Sequence, residues 1–263
     1  VEAMRNVAAV GATPHAGTDC LRFGNPEKPH QMWEFVESVQ GVADACHAIT
    51  LKDNPDDATP IIAGNVSFYN ESSNGAIPPR PIVSCLGRLK DVTKAVPMHF
   101  QTFDSILIMA GKRRDELGGS VFYSLHDELG ANVPQPNLEE VKNQIFALTD
   151  CINEDLVLSC HDIADGGVAS TLAEMTFGNG IGCDITINSD LPTDKILFSE
   201  TGGFVLEVSP ENADAVLSNF SKYESDVFQI GTTGSNTIQI NRVVNIVVSD
   251  AKKTWANGLR EKL

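Results

Sequence analysis

The sequence has no long apolar run and few positive charges. No apolar stretch approaches the roughly 20 residues that a membrane-spanning helix needs, which argues against a membrane protein. Only 19 residues are Lys or Arg against 35 Asp or Glu, and the formal net charge is -16. A phosphate backbone repels such a chain, so overall charge argues against nucleic-acid binding. A single nucleotide can still bind where backbone N–H groups or a metal supply a local positive field.

Cysteine is also sparse, and the six cysteines include no CxxC pair. Most of them lie in apolar segments, such as the stretch Val83-Ser84-Cys85-Leu86. This pattern is typical of free, buried thiols in a reducing compartment, and we expect a cytoplasmic protein.

The pattern of apolar residues predicts alternating helices and strands. The clearest helix is expected over residues 29–48, where Met32, Val36 and Val39 belong to one apolar stripe. A polar loop is expected over 50–59 and a short buried strand over 60–63. Such alternation indicates an α/β or α+β fold with mixed sheets.

The pattern weakens around residues 94–102, which predicts a domain boundary near residue 100. We therefore expect one domain over 1–100 and a second over 101–263. The chain opens on helix formers with no strand before them, so we expect it to begin partway into its first domain. In the second domain the pattern predicts helices over 137–151, 167–177 and 212–220, and strands over 105–110, 157–160, 203–208, 227–230, 237–240 and 243–248.

Two glycine-punctuated segments could carry chemistry. In "GTDCLRFGNPEKP" Asp19 follows a short segment, and its carboxylate could accept hydrogen bonds from a nucleoside. In "PIIAGNVSFYNE" Gly64 allows close approach of a ligand, and the amide oxygen of Asn65 suits Mg²⁺. Ser67 points the same way as Asn65 if the backbone is extended. Side by side, these strand ends would form a phosphate and metal site. The alternative is an Asx turn at Asp19 and an ordinary strand-end turn at Gly64.

Three other residues are weaker candidates. In "SCHDIADGGVASTLAEM" Asp165 precedes a predicted helix, and we expect it to be the N-cap. His161 ends a buried strand, where hydrogen bonding is a commoner role than catalysis. Glu200 lies in a turn before a strand and is interpreted as structural. The glycine-rich "GKRRDELGGS" lacks the Gly-Lys-Ser/Thr ending of a P-loop, which excludes that motif.

The segments "TDCLRFGNPEKPHQMWEFVESVQGVADAC" and "AGNVSFYNE" resemble the second half of the phosphoribosylformylglycinamidine synthase family, the ATP-dependent amidotransferases of purine biosynthesis. Further along, "HDIADGGVASTLAEM" and "LFSETGGFVLEV" are similar to the C-terminal domain of that family. The resemblance implies an AIR-synthetase-like N-terminal domain, truncated at its start, followed by an AIR-synthetase-like C-terminal domain.

Residue by residue, the resemblance implies that Asp19 and Gly64 contact ATP, that Asn65 is a Mg²⁺ ligand and that Ser67 contacts formylglycinamide ribonucleotide. It implies as partners the remaining N-terminal half of the synthase, a glutaminase subunit and a small accessory subunit. The "SHNH"-type catalytic motif of the family is absent, so no catalytic residue is assigned. Arg22 stands where the family pattern has Asn.

Two alternatives stay open. The first is a noncatalytic nucleotide-binding or scaffolding half, which the neutral Asn65 favours because an acidic ligand would bind a metal more strongly. The second is a complete enzyme of another branch of the AIR-synthetase superfamily, acting as a homodimer. The specific string "FGNPEKP" counts against the second.

Overall fold

The computed structural model describes residues 1–258 and contains a small and a large sheet. The first 88 residues form a three-stranded sheet of order β4-β1-β7, two short hairpins and two helices. In chain order the elements are α1 (Glu2–Ala9), β1 (Thr13–Arg22), α2 (Pro29–Ala48), β2 (Thr50–Leu51), β3 (Asn54–Ala58), β4 (Ile61–Ser67), β5 (Glu71–Ser72), β6 (Gly75–Ala76) and β7 (Arg80–Arg88).

The rest of the described chain forms a seven-stranded sheet of order β14-β13-β10-β12-β8-β11-β9. The predicted division at residue 100 falls between the two sheets and stays a prediction. The elements are β8 (Ile106–Ala110), α3 (Val121–Ser124), α4 (Leu138–Asn153), β9 (Ser159–Ile163), α5 (Gly167–Phe177), β10 (Cys183–Ile185), α6 (Thr193–Phe198), β11 (Gly203–Val208), α7 (Ala213–Lys222), β12 (Val227–Thr233), β13 (Thr237–Ile240), β14 (Val244–Val247) and α8 (Val248–Asn257).

Parallel and antiparallel pairs occur in both sheets, which confirms the mixed α/β class. In the small sheet β1 runs parallel to β4 and antiparallel to β7. In the large sheet β10 runs parallel to β13 and antiparallel to β12. Within residues 1–258 no helix is both long and apolar enough to cross a membrane.

The large sheet holds most of the core. Residues of β8 and β11 alternate between two clusters, one under α4 and α7 and the other under α5 and α8. Ile108 and Leu206 belong to the first cluster, and Leu107 and Val205 belong to the second; all four side chains are fully buried. Because helices cover both faces, β8 is a continuous apolar run, and β11 is apolar apart from Gly203 and the buried Glu207.

The helix expected over 29–48 is confirmed as α2, whereas two other predictions for the first domain are wrong. The strand expected over 60–63 extends to Ser67 and is exposed along its whole length. It is the edge strand of the small sheet, and hollows remain between it and α2. The stripe on α2 is only partly covered: Met32, Val36 and Val39 are 41%, 48% and 40% exposed. The segment 50–59 is a hairpin of β2 and β3 rather than an irregular loop.

Candidate functional site

The predicted site residues of the first domain lie on adjacent strands. Strands β1 and β4 pair in parallel, with Asp19 beside Gly64, Cys20 beside Asn65 and Arg22 beside Ser67. The structure therefore brings the two segments together, as expected from the sequence. It does not place them at strand ends, because Asp19 lies three residues before the end of β1 and Gly64 is in the middle of β4.

The four predicted positions face opposite sides of this sheet. Asp19 and Gly64 point toward α2, and a Cβ added at Gly64 would lie 2.6 Å from Asp19 Oδ2. Only glycine fits there while the carboxylate keeps its place. On the other face the Cys20 thiol donates to Asn65 Oδ1 at 3.3 Å. Alternation along β4 puts Ser67 on that same face. The sheet therefore separates the predicted ATP contacts from the predicted metal and substrate contacts.

Asp19 borders a cavity of about 310 Å³ between α2 and the sheet. Its walls are largely apolar and include Val39, Val42 and Ala43 of α2. A neighbouring cavity of about 470 Å³ shares Val42 and extends toward Gly17. A carboxylate at the edge of an apolar hollow can accept hydrogen bonds from a nucleoside whose flat surface occupies the hollow.

The metal ligand set is incomplete within residues 1–258. No group of three or more His, Cys, Asp or Glu side chains there could hold a metal ion. Asn65 supplies one neutral oxygen, which already accepts from Cys20. Magnesium prefers six oxygen ligands with one or two carboxylates among them, so the described residues do not fit a magnesium ion by themselves.

His161 of β9 is held between two carboxylates, Asp162 of the same strand and Glu174 of α5. Its Nδ1 lies 3.1 Å from Asp162 Oδ1, and its Nε2 lies 3.1 Å from Glu174 Oε2. Burial alone lowers the pKa of His161, but hydrogen bonds to these carboxylates and their charges outweigh burial and raise the pKa to about 9. The imidazole is therefore a charged structural link, which agrees with the expectation of a hydrogen-bonded histidine.

The segment around Glu200 ties two helices together. Glu200 Oε1 accepts from the backbone N–H groups of Val121 and Gly166, at 2.8 and 2.9 Å. The expectation that Asp165 caps α5 is wrong, because the N-cap is Gly166, which has no side chain, and its backbone N–H donates to Glu200. Gly166 has φ +75°, a conformation that L side chains rarely adopt. The glycine pair therefore serves the turn, and Glu200 supplies the carboxylate.

Two buried arginines near this turn were not anticipated from the sequence. The Arg113 guanidinium donates to the carbonyl oxygens of Thr201 and Gly202. Burial, helped by the nearby charge of Arg5, lowers the pKa of Arg113 to about 10. Arg5 borders a polar cleft of about 280 Å³ and packs so closely on Gly202 that a Cβ there would overlap its guanidinium. The Gly202-Gly203 pair was the available signal, since paired glycines often mark such close packing.

Comparisons with known proteins identify two domains along the chain. The family described as AIR synthase related protein, C-terminal domain, matches residues 104–240, and the family of the corresponding N-terminal domain matches residues 1–89. The phosphoribosylformylglycinamidine synthase subunit PurL of Methanothrix thermoacetophila is 42% identical over 269 residues, covering 100% of this chain and 35% of that relative. The corresponding subunit of Alkaliphilus metalliredigens is 35% identical, covering 99% and 35%. The chain thus spans about a third of the length of these curated relatives.

Solved structures show the same fold. T. maritima PurL complexed with FGAR superimposes with a TM-score of 0.72 at 18% identity, covering 95% of this chain and 41% of that chain. A HypE–HypF complex gives a TM-score of 0.67 at 17% identity, covering 93% and 80%. Both family matches and this shared fold lead to one conclusion: the chain belongs to the AIR synthase related protein family.

Proposed function

We propose that this chain is part of a phosphoribosylformylglycinamidine synthase and contributes one side of its ATP and substrate sites. The reaction converts formylglycinamide ribonucleotide and glutamine-derived ammonia to the amidine at the expense of ATP. Its support is the match to PurL subunits along the whole chain. Structures of T. maritima PurL complexed with ATP and with FGAR share this fold.

The observation that carries the proposal is the pairing of Asp19 with Gly64 beside the cavity under α2. A carboxylate repels phosphates, so Asp19 suits the ribose hydroxyls or the base of ATP rather than its phosphate chain. Gly64 lies on the edge strand β4, and its missing side chain leaves the space that the Asp19 carboxylate occupies. On the opposite face the Ser67 hydroxyl, which donates to Asn70 Oδ1 at 3.2 Å, would turn to contact the substrate.

The chemistry in this proposal is phosphorylation of the substrate amide oxygen by ATP, followed by displacement of phosphate by ammonia. The protein contributes mainly positioning and neutralisation of charge. Asp19 and Gly64 would bind one reactant and Ser67 the other. Because the sheet lies between them, the rest of the synthase would hold the second reactant at each face. Asn65 offers one oxygen, and the carboxylates that a magnesium ion prefers would come from elsewhere in the protein, so no step is assigned to the metal here.

The exposed face of the small sheet is where the rest of the synthase would pack. Ile82 and Leu86 on β7 are 50% and 51% exposed and lie on the same face as Asn65. A glutaminase subunit and a small accessory subunit would complete the assembly; T. maritima PurLQS is a solved structure with this fold. All six cysteines are free, which agrees with a cytoplasmic location.

A noncatalytic nucleotide-binding half is the second candidate. It is favoured by the neutral Asn65 and by the lack of a metal-ligand cluster within residues 1–258. In that case the same Asp19 and Gly64 would hold a nucleotide for stability alone.

Titration calorimetry with ATP, with and without Mg²⁺, tests both candidates. We expect metal-dependent binding that Asp19→Ala weakens at least about tenfold, because a hydrogen bond to a charged group is lost. Asp184→Ala, which removes an exposed carboxylate from β10, is the control and should bind like the wild type. Metal-independent binding would favour the noncatalytic candidate. No binding at millimolar ATP would contradict a nucleotide site in this chain.

A further inference from the structure

Two arginines lie directly opposite each other at one end of the small sheet. Arg22 of β1 pairs with Arg80 of β7 in the antiparallel ladder and with Ser67 of β4 in the parallel one. Directly paired residues project from the same face of a sheet, so the three side chains form a row in which Arg22 lies between Ser67 and Arg80. The Ser67 hydroxyl donates to Asn70 Oδ1 at 3.2 Å. All three residues are exposed.

The structure shows no acidic partner for this pair. Among residues 1–258, neither Arg22 nor Arg80 has a carboxylate oxygen within 4.0 Å. Arg88, at the other end of β7, by contrast contacts Asp53. Like charges directly opposite each other on paired strands destabilise the pairing. The chain has 35 Asp and Glu residues, any of which could have been placed beside the two arginines to neutralise them. An unbalanced arginine pair therefore indicates an anion that comes from outside these residues.

We propose that Arg22 and Arg80 form a binding site for a phosphate monoester. A monoester dianion neutralises both guanidinium groups, and its three terminal oxygens accept from both planar forks. A carboxylate carries one charge and two oxygens, so it would satisfy only one of the two arginines. The charge of the arginine pair thus favours a phosphate dianion over a carboxylate.

This inference deepens the proposed function and rests on it for the identity of the ligand, since formylglycinamide ribonucleotide carries a 5′-phosphate. Asn65 lies two residues from Ser67 on the same face, about 7 Å along the strand. A ribonucleotide bound by its phosphate at the arginines can extend its sugar toward Asn65. Arg22 stands at the position where the sequence resemblance leads us to expect Asn.

Calorimetric titration of the 263-residue chain with ribose 5-phosphate tests the site, at one fixed salt concentration because exposed charges are screened. We expect saturable binding that falls at least about tenfold in Arg22→Gln and in Arg80→Gln, as loss of a charge-assisted hydrogen bond predicts. Arg22→Lys keeps the charge without the fork and should lose less. The matched control Arg88→Gln lies on the same strand and face and should bind within about twofold of the wild type.

The thermal unfolding temperature gives a second test, because arginines that are merely solvated would leave it unchanged on addition of the ligand. Without phosphate, either Gln variant should unfold at or above the wild-type temperature, since it removes a repulsion. With ribose 5-phosphate, only the wild type and Arg88→Gln should gain stability. No binding to the wild type, equal binding of ribose, or an equal loss in Arg88→Gln would overturn the phosphate site. The ATP titration of Asp19→Ala separately tests the proposed function, so failure of either is recognisable.

Discussion

The two sheets of this protein differ most in what covers them. All six residues of β11 in the large sheet are buried, whereas all seven residues of β4 in the small sheet are exposed. Both strands contain apolar residues, so composition does not explain the difference. Helices cover both faces of the large sheet at β8 and β11, and α2 covers one face of the small sheet incompletely.

This difference separates stability from binding within one chain. The large sheet has its core inside the described chain, and one of its two clusters also includes Met4 and Ala8 of α1 and Ile49. The small sheet carries every predicted ligand contact, together with an exposed apolar face of the kind that marks an interaction site. We infer that the large sheet is a support and that the small sheet is the surface on which a further protein segment packs.

Matched isoleucine substitutions give the largest expected difference between the sheets. Ile108 is fully buried in β8, and Ile62 is 60% exposed in β4. Ile108→Ala should lower the free energy of unfolding by about 2–5 kcal/mol, because it removes buried methyl groups and leaves a cavity. Ile62→Ala should change it by less than about 0.5 kcal/mol. Urea unfolding measures both, and a similar loss in the two variants would show that β4 is covered in solution.

The sequence predicted most elements of the large sheet, because the residues that are apolar in the sequence are also the ones buried in the structure. The helix expected over 167–177 matches α5, and the strand expected over 203–208 matches β11. Strand β10 was missed, since its three residues are too short to show a period. Helix α8 was also missed, because the segment before it was interpreted as a longer strand.

For the small sheet, the sequence predicted that the two segments are neighbours. It did not predict how exposed β4 is, or that Asp19 and Asn65 lie on opposite faces of the sheet. Glycines and polar residues at Asp19 and Gly64 indicated two neighbouring segments, and the strands are neighbours. Apolar periodicity cannot distinguish a face buried within the chain from one reserved for a partner, so the exposure of β4 was not predictable. Which face each side chain takes depends on the register, which pairs Cys20 rather than Asp19 with Asn65.

The buried charge of His161 on β9 should make the stability of the large sheet depend on pH. The pKa of His161 is raised from 6.5 to about 9 on folding, so its stabilisation is fully present below about pH 6.5 and is lost as pH rises through 9. The loss should approach about 3 kcal/mol, from 1.36 kcal/mol per pKa unit. In Glu174→Gln, where one carboxylate partner is neutral, the decrease should be smaller. Equal pH profiles for the two proteins in urea unfolding would contradict the link.

The smallest expected effect concerns Lys52. It lies in the β2–β3 hairpin beside the small sheet and contacts α4, which packs on the large sheet. Its ammonium group donates to Phe146 O, Thr149 Oγ1 and Asp150 Oδ1 of α4 at 2.6, 2.8 and 2.7 Å. Lys52→Met keeps the aliphatic stem and leaves these acceptors without their donor, so we expect a loss of about 2 kcal/mol in the free energy of unfolding.

Lys90 provides the control for this link, because its contact with Asp53 is exposed and stays within the first domain. Lys90→Met should cost no more than about 0.5 kcal/mol, as exposed ion pairs contribute little. Hydrogen exchange should also show faster opening of the β2–β3 hairpin in Lys52→Met, since the hairpin loses its anchor on α4. If both variants lose equal stability, the hairpin is held by packing and not by Lys52.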